Sequence, residues 1–379
     1  MMTLVPSPAG RRGAFLLLAV AVACRSPRPE RPAGSCTHVQ AVGEVRGTAL
    51  CEDVWTCTRP PGGKLDRIGL HRLAPCEARP GPVVLYLPGM HMNAELPIRD
   101  PEHDVRVFLA MSGMRTWGLD YRTHAVPADA SEADLATLRG WTPDVFAGDV
   151  AWAAGFVRGA DPGPLYVAGF SQGAALAYRL AARERDGVTG LVILDGARSS
   201  PTPGGSGSPA IDVAGGRLPY ADRQRLLTAV TADPGQPSPL DGFATAGEAL
   251  SETLYTAPSF GGQGGLANTR GGVSDPRDLS KLLQRYDRWW PRAMLGGSAP
   301  PDPARPLPVL AFASTRLGPG WVARVRESAQ AFGGPQAMVR ELPAYGHLDV
   351  LVGGSAAREV FTPALRWLQA GGAPAEAHD

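Results

Sequence analysis

Leu165-Tyr166-Val167-Ala168-Gly169-Phe170-Ser171-Gln172-Gly173 (LYVAGFSQG) is an apolar run that ends in a G-x-S-x-G string. It passes straight into Gln172 to Arg185, where Leu176 with Leu180 and Ala177 with Ala181 recur four residues apart. A short apolar run without alternation reads as a strand buried on both faces, and four-residue spacing reads as a helix. Strand, glycine turn and helix in immediate succession is the setting that presents a serine hydroxyl at the carboxyl end of a strand. The bare pattern is weak in a chain with 47 glycines in 379 residues, where about 0.3 chance matches are expected, so its placement carries the weight. Glycine-rich turns also cradle phosphate, but no lysine follows, and the string is neither G-x-G-x-x-G nor a P-loop.

The same grammar extends in both directions. Val83 to Leu87 (VVLYL) is an apolar strand closed by Pro88-Gly89, Met114 to Tyr121 is a weaker strand, and Thr142 to Arg158 has helical spacing with Pro143 in its first turn. Leu191 to Leu194 is the next strand. Ser199 to about Ala304 breaks the rhythm: it is rich in Gly and Pro, carries two amphipathic pieces (Arg223 to Thr231 and Leu279 to Leu295), and reads as an insertion. Alternation resumes with a strand at Val309 to Ala313, a helix at Trp321 to Phe332, a strand at Met338 to Leu342 and a closing helix at Ser355 to Gln369, with a break expected at Thr362-Pro363. Strands alternating with helices predict a mostly parallel α/β sheet with helices on both faces.

Between Val83 and Leu368 these motifs resemble the α/β-hydrolase family. The resemblance implies Ser171 as nucleophile and a cap insertion between the family's sixth and seventh strands. It also implies an oxyanion hole built from the backbone N–H groups of Met90 and Gln172, although Pro88-Gly89 stands where the family more often has His-Gly. The implied base is His347, in Tyr345-Gly346-His347-Leu348-Asp349 after the last strand; His347 to Gly353 (H-L-D-x-L-x-G) looks like the histidine motif of acid-type lipases. The family commonly places its acid after the strand Val309 to Ala313, yet Ser314-Thr315-Arg316-Leu317-Gly318 holds no carboxylate. Asp195, closing the strand Leu191 to Leu194, is the alternative acid position and keeps the chain order Ser171, Asp195, His347. Asp349 is its rival, too close in sequence to His347 for the usual opposed geometry. His91, beside Met90, and Tyr255, Phe260, Trp289 and Trp290 of the insertion are candidates for contact with an acyl or aromatic group; plain packing of a cap helix is the competing reading of the two tryptophans. Gly261 to Gly272 reads as a lid hinge or a disordered loop.

Lys+Arg 37 against Asp+Glu 36 leaves a formal charge of +1, with no basic stripe interleaved with aromatics, so a nucleic-acid partner is not expected. Gly 47 and Pro 37 together make about 22% of the chain, below the level at which it would lack a core. Arg11-Arg12, the apolar Ala14 to Ala23 and the small residues Ala21-Val22-Ala23 form a signal-peptide pattern over residues 1–23. Cleavage there leaves Cys24 first, in a string resembling a bacterial lipobox. Lipidation of Cys24 is one reading; secretion with a free Cys24 is the other. Residues 24–35 are a Pro/Arg-rich tether. Cys36, Cys51, Cys57 and Cys76, with no C-x-x-C pair, predict two disulfides in antiparallel hairpins, in any of three connectivities.

The expected layout is therefore a core at 36–198, a cap at 199–304 and the rest of the core at 305–372. The expected activity is an exported serine hydrolase on small-molecule or lipid esters, periplasmic or at the cell surface, with no cofactor and no metal. A peptidase or amidase on the same triad, and a catalytically silent surface-binding protein, remain open at this point because fold alone does not separate them.

Overall fold

The computed structural model describes residues 35–44, 48–77, 80–95, 97–183, 187–199, 207–213, 218–253, 273–296, 299–303 and 305–373. The signal-peptide stretch 1–23, Cys24, nearly all of the tether, Tyr255, Phe260 and Gly261 to Gly272 lie outside them. Among the described residues no helix is long and apolar enough to cross a membrane.

The chain begins with three strands, β1 (Cys36–Glu44), β2 (Leu50–Thr58) and β3 (Arg67–Pro75), then β4 (Val83–Leu87), α1 (Val105–Met111) and β5 (Arg115–Asp120). After α2 (Glu132–Thr137) and α3 (Pro143–Ala160) come β6 (Leu165–Phe170), α4 (Gln172–Arg183) and β7 (Gly190–Leu194). The insertion supplies β8 (Ala210–Asp212), α5 (Tyr220–Ala232), α6 (Ala246–Thr253), α7 (Pro276–Gln284) and β9 (Trp289–Pro291). The chain returns through β10 (Val309–Ser314), α8 (Pro319–Gly333), β11 (Ala337–Leu342), α9 (Asp349–Val352) and α10 (Thr362–Gln369).

Among the described residues, nine strands make one sheet in the order β1-β2-β3-β5-β4-β6-β7-β10-β11. Pairings from β1 through β3 to β5 are antiparallel and the rest are parallel. Every residue of β4, β6, β7 and β10 is buried, which is why these strands read as unbroken apolar runs. Their side chains still alternate between two layers. Val83, Leu85, Val167, Ile193 and Ala311 join the core under α3, α4 and α8, whereas Val84, Tyr86, Ala168, Leu194 and Phe312 join the core under α1 and α10. Counted from β2, the insertion falls between the sixth and seventh strands, as expected, and β1 is an added edge.

The cysteines pair as Cys36–Cys57 and Cys51–Cys76. The first joins residues directly opposite each other across β1 and β2, and the second ties the start of β2 to the end of β3. Closing loops with sequence separations of 21 and 25 removes enough unfolded-state freedom for each bridge to stabilise the fold by about 3 kcal/mol. The expected hairpins thus extend the main sheet.

The stretch Leu279 to Leu295 departs from its helical reading. The helix stops at Gln284, because Arg285 and Asp287 are pulled into bonds with the loop after β4: the Arg285 carbonyl accepts from Asn93 Nδ2 at 2.7 Å, and the Asp287 N–H donates to the His91 carbonyl at 2.7 Å. Trp289 and Trp290 therefore sit on β9, paired antiparallel with β8, and not on a cap helix. The closing helix does not break at Thr362-Pro363 as expected but stays helical through it, with a local widening just before the proline. Pro363 has no N–H to give, and the preceding Ala357–Phe361 widens into a π turn whose Ala357 carbonyl takes the Thr362 hydroxyl at 2.8 Å.

Candidate active site

β4 lies between β5 and β6, so the winding direction reverses at β4, and the carboxyl ends of β4 and β6 are the place where open α/β sheets take their ligands. Two segments meet there: the loop Pro88-Gly89-Met90 after β4 and the turn at Ser171 after β6. Gly169 and Gly173 make the turn feasible. A Cβ on Gly173 would lie 2.0 Å from the Leu87 carbonyl oxygen, and one on Gly169 would lie 2.6 Å from the Gly173 carbonyl oxygen. Ser171 is held at φ 52°, a conformation non-glycine residues avoid at a cost on the order of 1–3 kcal/mol, and its N–H is tied to the Leu194 carbonyl at 3.3 Å.

Ser171, His347 and Asp195 are brought together. The Ser171 hydroxyl lies 2.8 Å from His347 Nε2, and His347 Nδ1 lies 2.6 Å from Asp195 Oδ2. An ionised carboxylate only accepts, so Nδ1 carries the proton and Nε2 is left to accept from the serine. Asp195 is fully buried at φ 49°, and its other oxygen accepts from the Ser314 N–H and from Trp321 Nε1, both at 2.8 Å. The His347 ring rests on Phe170, with centroids 4.8 Å apart, and meets Trp321 edge-on at 5.9 Å. Three of these partners escaped the sequence reading. Phe170 is the variable residue of the G-x-S string, Ser314 is the first residue of the segment noted for lacking an acid, and Trp321 gave no sequence signal beyond its helix. The end of β10 and the start of α8 each supply one donor to a carboxylate that directly follows β7, where β10 offers no carboxylate of its own.

Asp349 makes no hydrogen bond to His347. Its Oδ2 accepts the Gly346 N–H at 2.7 Å and the Val273 N–H at 3.4 Å, and its Oδ1 takes the Ser274 hydroxyl.

Met90 lies inside a turn closed by the Met92 N–H on the Gly89 carbonyl at 3.1 Å, and the preceding Pro88 carbonyl is held by the Tyr121 hydroxyl at 2.9 Å. Gln172 opens α4, whose first-turn N–H groups have no intrahelical acceptor and sit at the positive end of the helix dipole. His91, at φ 62°, donates Nδ1–H to the Asp287 carbonyl at 2.9 Å. Burial pushes its pKa down to about 4, against the opposing pull of that carbonyl, so the ring is neutral near pH 7. Asp287 is itself gripped by Asn93, Thr123 and His124. Trp290 is completely buried against His91, Tyr121 and Phe146. Its ring has no surface left for a ligand, so packing the insertion onto the core is its role. Trp289 is half-buried, with its indole N–H on the Ala128 carbonyl at 3.2 Å and the Arg288 guanidinium over its ring. Among the described residues no group of three or more His, Cys, Asp and Glu side chains is arranged to hold a metal ion.

No protein-family model matches the chain, and no curated protein matches it. Among solved structures it is similar to a proposed lipase from Sulfolobus solfataricus, with a TM-score of 0.73 and 19% identity over 89% of this chain and 99% of that one. Looser likenesses include an alpha/beta hydrolase fold protein from Nakamurella multipartita (TM-score 0.45, 18% identity, 81% of this chain and 97% of that one). Another is a thermophilic esterase from Thermogutta terrifontis (TM-score 0.43, 18% identity, 83% and 96%). Sheet order, winding reversal and the strand-turn-helix at Ser171, together with the Sulfolobus superposition, make this the α/β-hydrolase fold.

Proposed function

We propose that the chain is a serine hydrolase that cleaves carboxylic esters, of esterase or lipase type, through an acyl-enzyme. The observation that carries this reading is the unbroken hydrogen-bonded chain from Asp195 through His347 to a strained Ser171 at the winding reversal. In the proposed cycle, His347 Nε2 takes the hydroxyl proton as Ser171 Oγ bonds the ester carbonyl carbon, and the carbonyl π electrons move onto oxygen. The N–H groups of Met90 and Gln172 hold that oxyanion; one such donor is typically worth about 2.7–4 kcal/mol in the transition state. Collapse expels the alcohol, which leaves with the proton from His347, and water repeats the sequence to free the acid. Asp195 keeps the imidazole in the productive tautomer and stabilises the imidazolium.

His91, neutral and next to Met90, would offer an acceptor nitrogen to a hydroxyl or N–H carried by the acyl or alcohol part of the substrate, and Trp289 an apolar edge; Tyr255 and Phe260 are proposed as further contacts. The lipase description of the Sulfolobus protein favours an ester over an amide bond. Two disulfides fit an oxidising compartment, so export is part of the proposal, with Cys24 as a lipid-anchor site. A panel of p-nitrophenyl esters and peptide amides, assayed with wild type and Ser171→Ala, tests the reaction. Ester turnover should fall about a million-fold in the variant. Amide turnover exceeding ester turnover would redirect the reading to a peptidase. Palmitate-analogue labelling that disappears in Cys24→Ala tests the anchor.

A further inference from the structure

We infer that Asp349 is a positioning residue through which Val273-Ser274, the segment of the insertion just before α7, holds His347 in register with Ser171; the inference rests on the hydrolase reading above. Gly346 immediately precedes His347, and both of its polar backbone groups are held. Its N–H donates to Asp349 Oδ2 at 2.7 Å, and its carbonyl accepts the Ser314 hydroxyl at 3.0 Å. Asp195 fixes the histidine ring from the other end. The orientation of His347 is therefore set by a carboxylate on either side of it, one bonding the ring and one bonding the backbone before it.

Asp349 is fully buried, and a buried carboxylate needs donors. Two of its three come from the insertion: the Val273 N–H and the Ser274 hydroxyl. The same two residues are stitched to the loop after α9, since the Val273 carbonyl accepts the Gly354 N–H at 2.8 Å and Ser274 forms an isolated antiparallel bridge with Gly353. Seating this segment satisfies the carboxylate that pins Gly346; without it, Asp349 would turn from Gly346 or remain under-satisfied. The insertion thus shapes the catalytic base as well as any pocket it covers.

The test compares wild type with Asp349→Asn, Ser274→Ala and Asp195→Asn on one small p-nitrophenyl ester, reading kcat and KM separately, the rate of fluorophosphonate labelling, and the folded fraction. Misplacing a general base by a fraction of an ångström predicts that Asp349→Asn lowers kcat per folded molecule about 10- to 100-fold, with KM nearly unchanged and the labelling rate falling in parallel. Ser274→Ala, which removes one donor and keeps the carboxylate, should lower kcat about fivefold in the same pattern. If both variants turn over and label at the wild-type rate per folded molecule, Asp349 is a structural anchor only and the inference is overturned. If Asp349→Asn does not fold, Ser274→Ala decides alone. Wild type that neither labels nor hydrolyses esters would overturn the hydrolase reading itself and this inference with it; labelling in wild type with unaffected variants overturns the inference alone.

Discussion

In β4, β6, β7 and β10 every residue is buried, whereas β2 and β3 mix buried with partly exposed positions although they belong to the same sheet. The parallel part is sandwiched between two helix layers and held by apolar contact. The antiparallel part shares the apolar core through residues such as Ile68 and Leu70 and adds covalent and ionic ties. Two disulfides cross it, and Arg122 gathers Asp149, Asp66 and the Pro60 carbonyl while Arg59 reaches the same Asp149. His71 on β3 lies 2.8 Å from Asp120, with Glu52 on its other nitrogen. Burial opposes a charge on His71, but Asp120 and then Glu52 outweigh it and push its pKa up to about 9. One region should therefore respond to changes in the reacting groups, and the other to redox state and pH.

The largest separation is expected from Asp195→Asn. The amide cannot accept from both His347 and its other partners as the carboxylate does, so kcat should fall about ten-thousand-fold while the disulfide-bonded strands are untouched. Stopped or discontinuous ester assays on the folded variant check it, and a larger loss in Asp349→Asn would exchange the roles of the two acids.

Replacing Cys36 and Cys57 together by serine should destabilise the protein by about 3 kcal/mol in denaturant unfolding, with kcat per folded molecule retained. A matched fall in kcat would erase the distinction between the two regions.

The smallest effect concerns pH. Because His71 has a raised pKa in the folded state, its contribution to stability is full below about 6.5 and is lost as pH rises through about 9, amounting to about 1–3 kcal/mol. Thermal unfolding between pH 6.5 and 10 should show this loss in wild type and less of it in His71→Gln. His124, pushed up to about 10 by Asp287 and Asp120 against the cost of burial, would account for what remains.

The same contrast explains what was legible in the sequence. Strands buried on both faces, such as VVLYL and LYVAGF, announce themselves without any partner being known, and the glycines around Ser171 are required because a Cβ at Gly173 or Gly169 would stand only 2.0 or 2.6 Å from a backbone carbonyl oxygen. The acid had to be chosen between Asp195 and Asp349, both near plausible elements. Only the three-dimensional arrangement places Asp195 at 2.6 Å from the ring and turns Asp349 toward Gly346. The disulfide pairing was open because it depends on strand register. Trp289 and Trp290 misled because helical spacing up to Gln284 carries no information about Arg285 and Asp287 bonding to a loop almost 200 residues earlier in the chain. Long-range polar ties of this kind leave no local pattern.

Ser171 as the activated nucleophile is tested by a fluorophosphonate probe followed by peptide mass spectrometry. A single stoichiometric adduct on Ser171 is expected, absent in Ser171→Ala and formed far more slowly in His347→Ala. Undiminished labelling of the Ser171→Ala protein, or an adduct on another residue of the wild type with Ser171 unmodified, would contradict it.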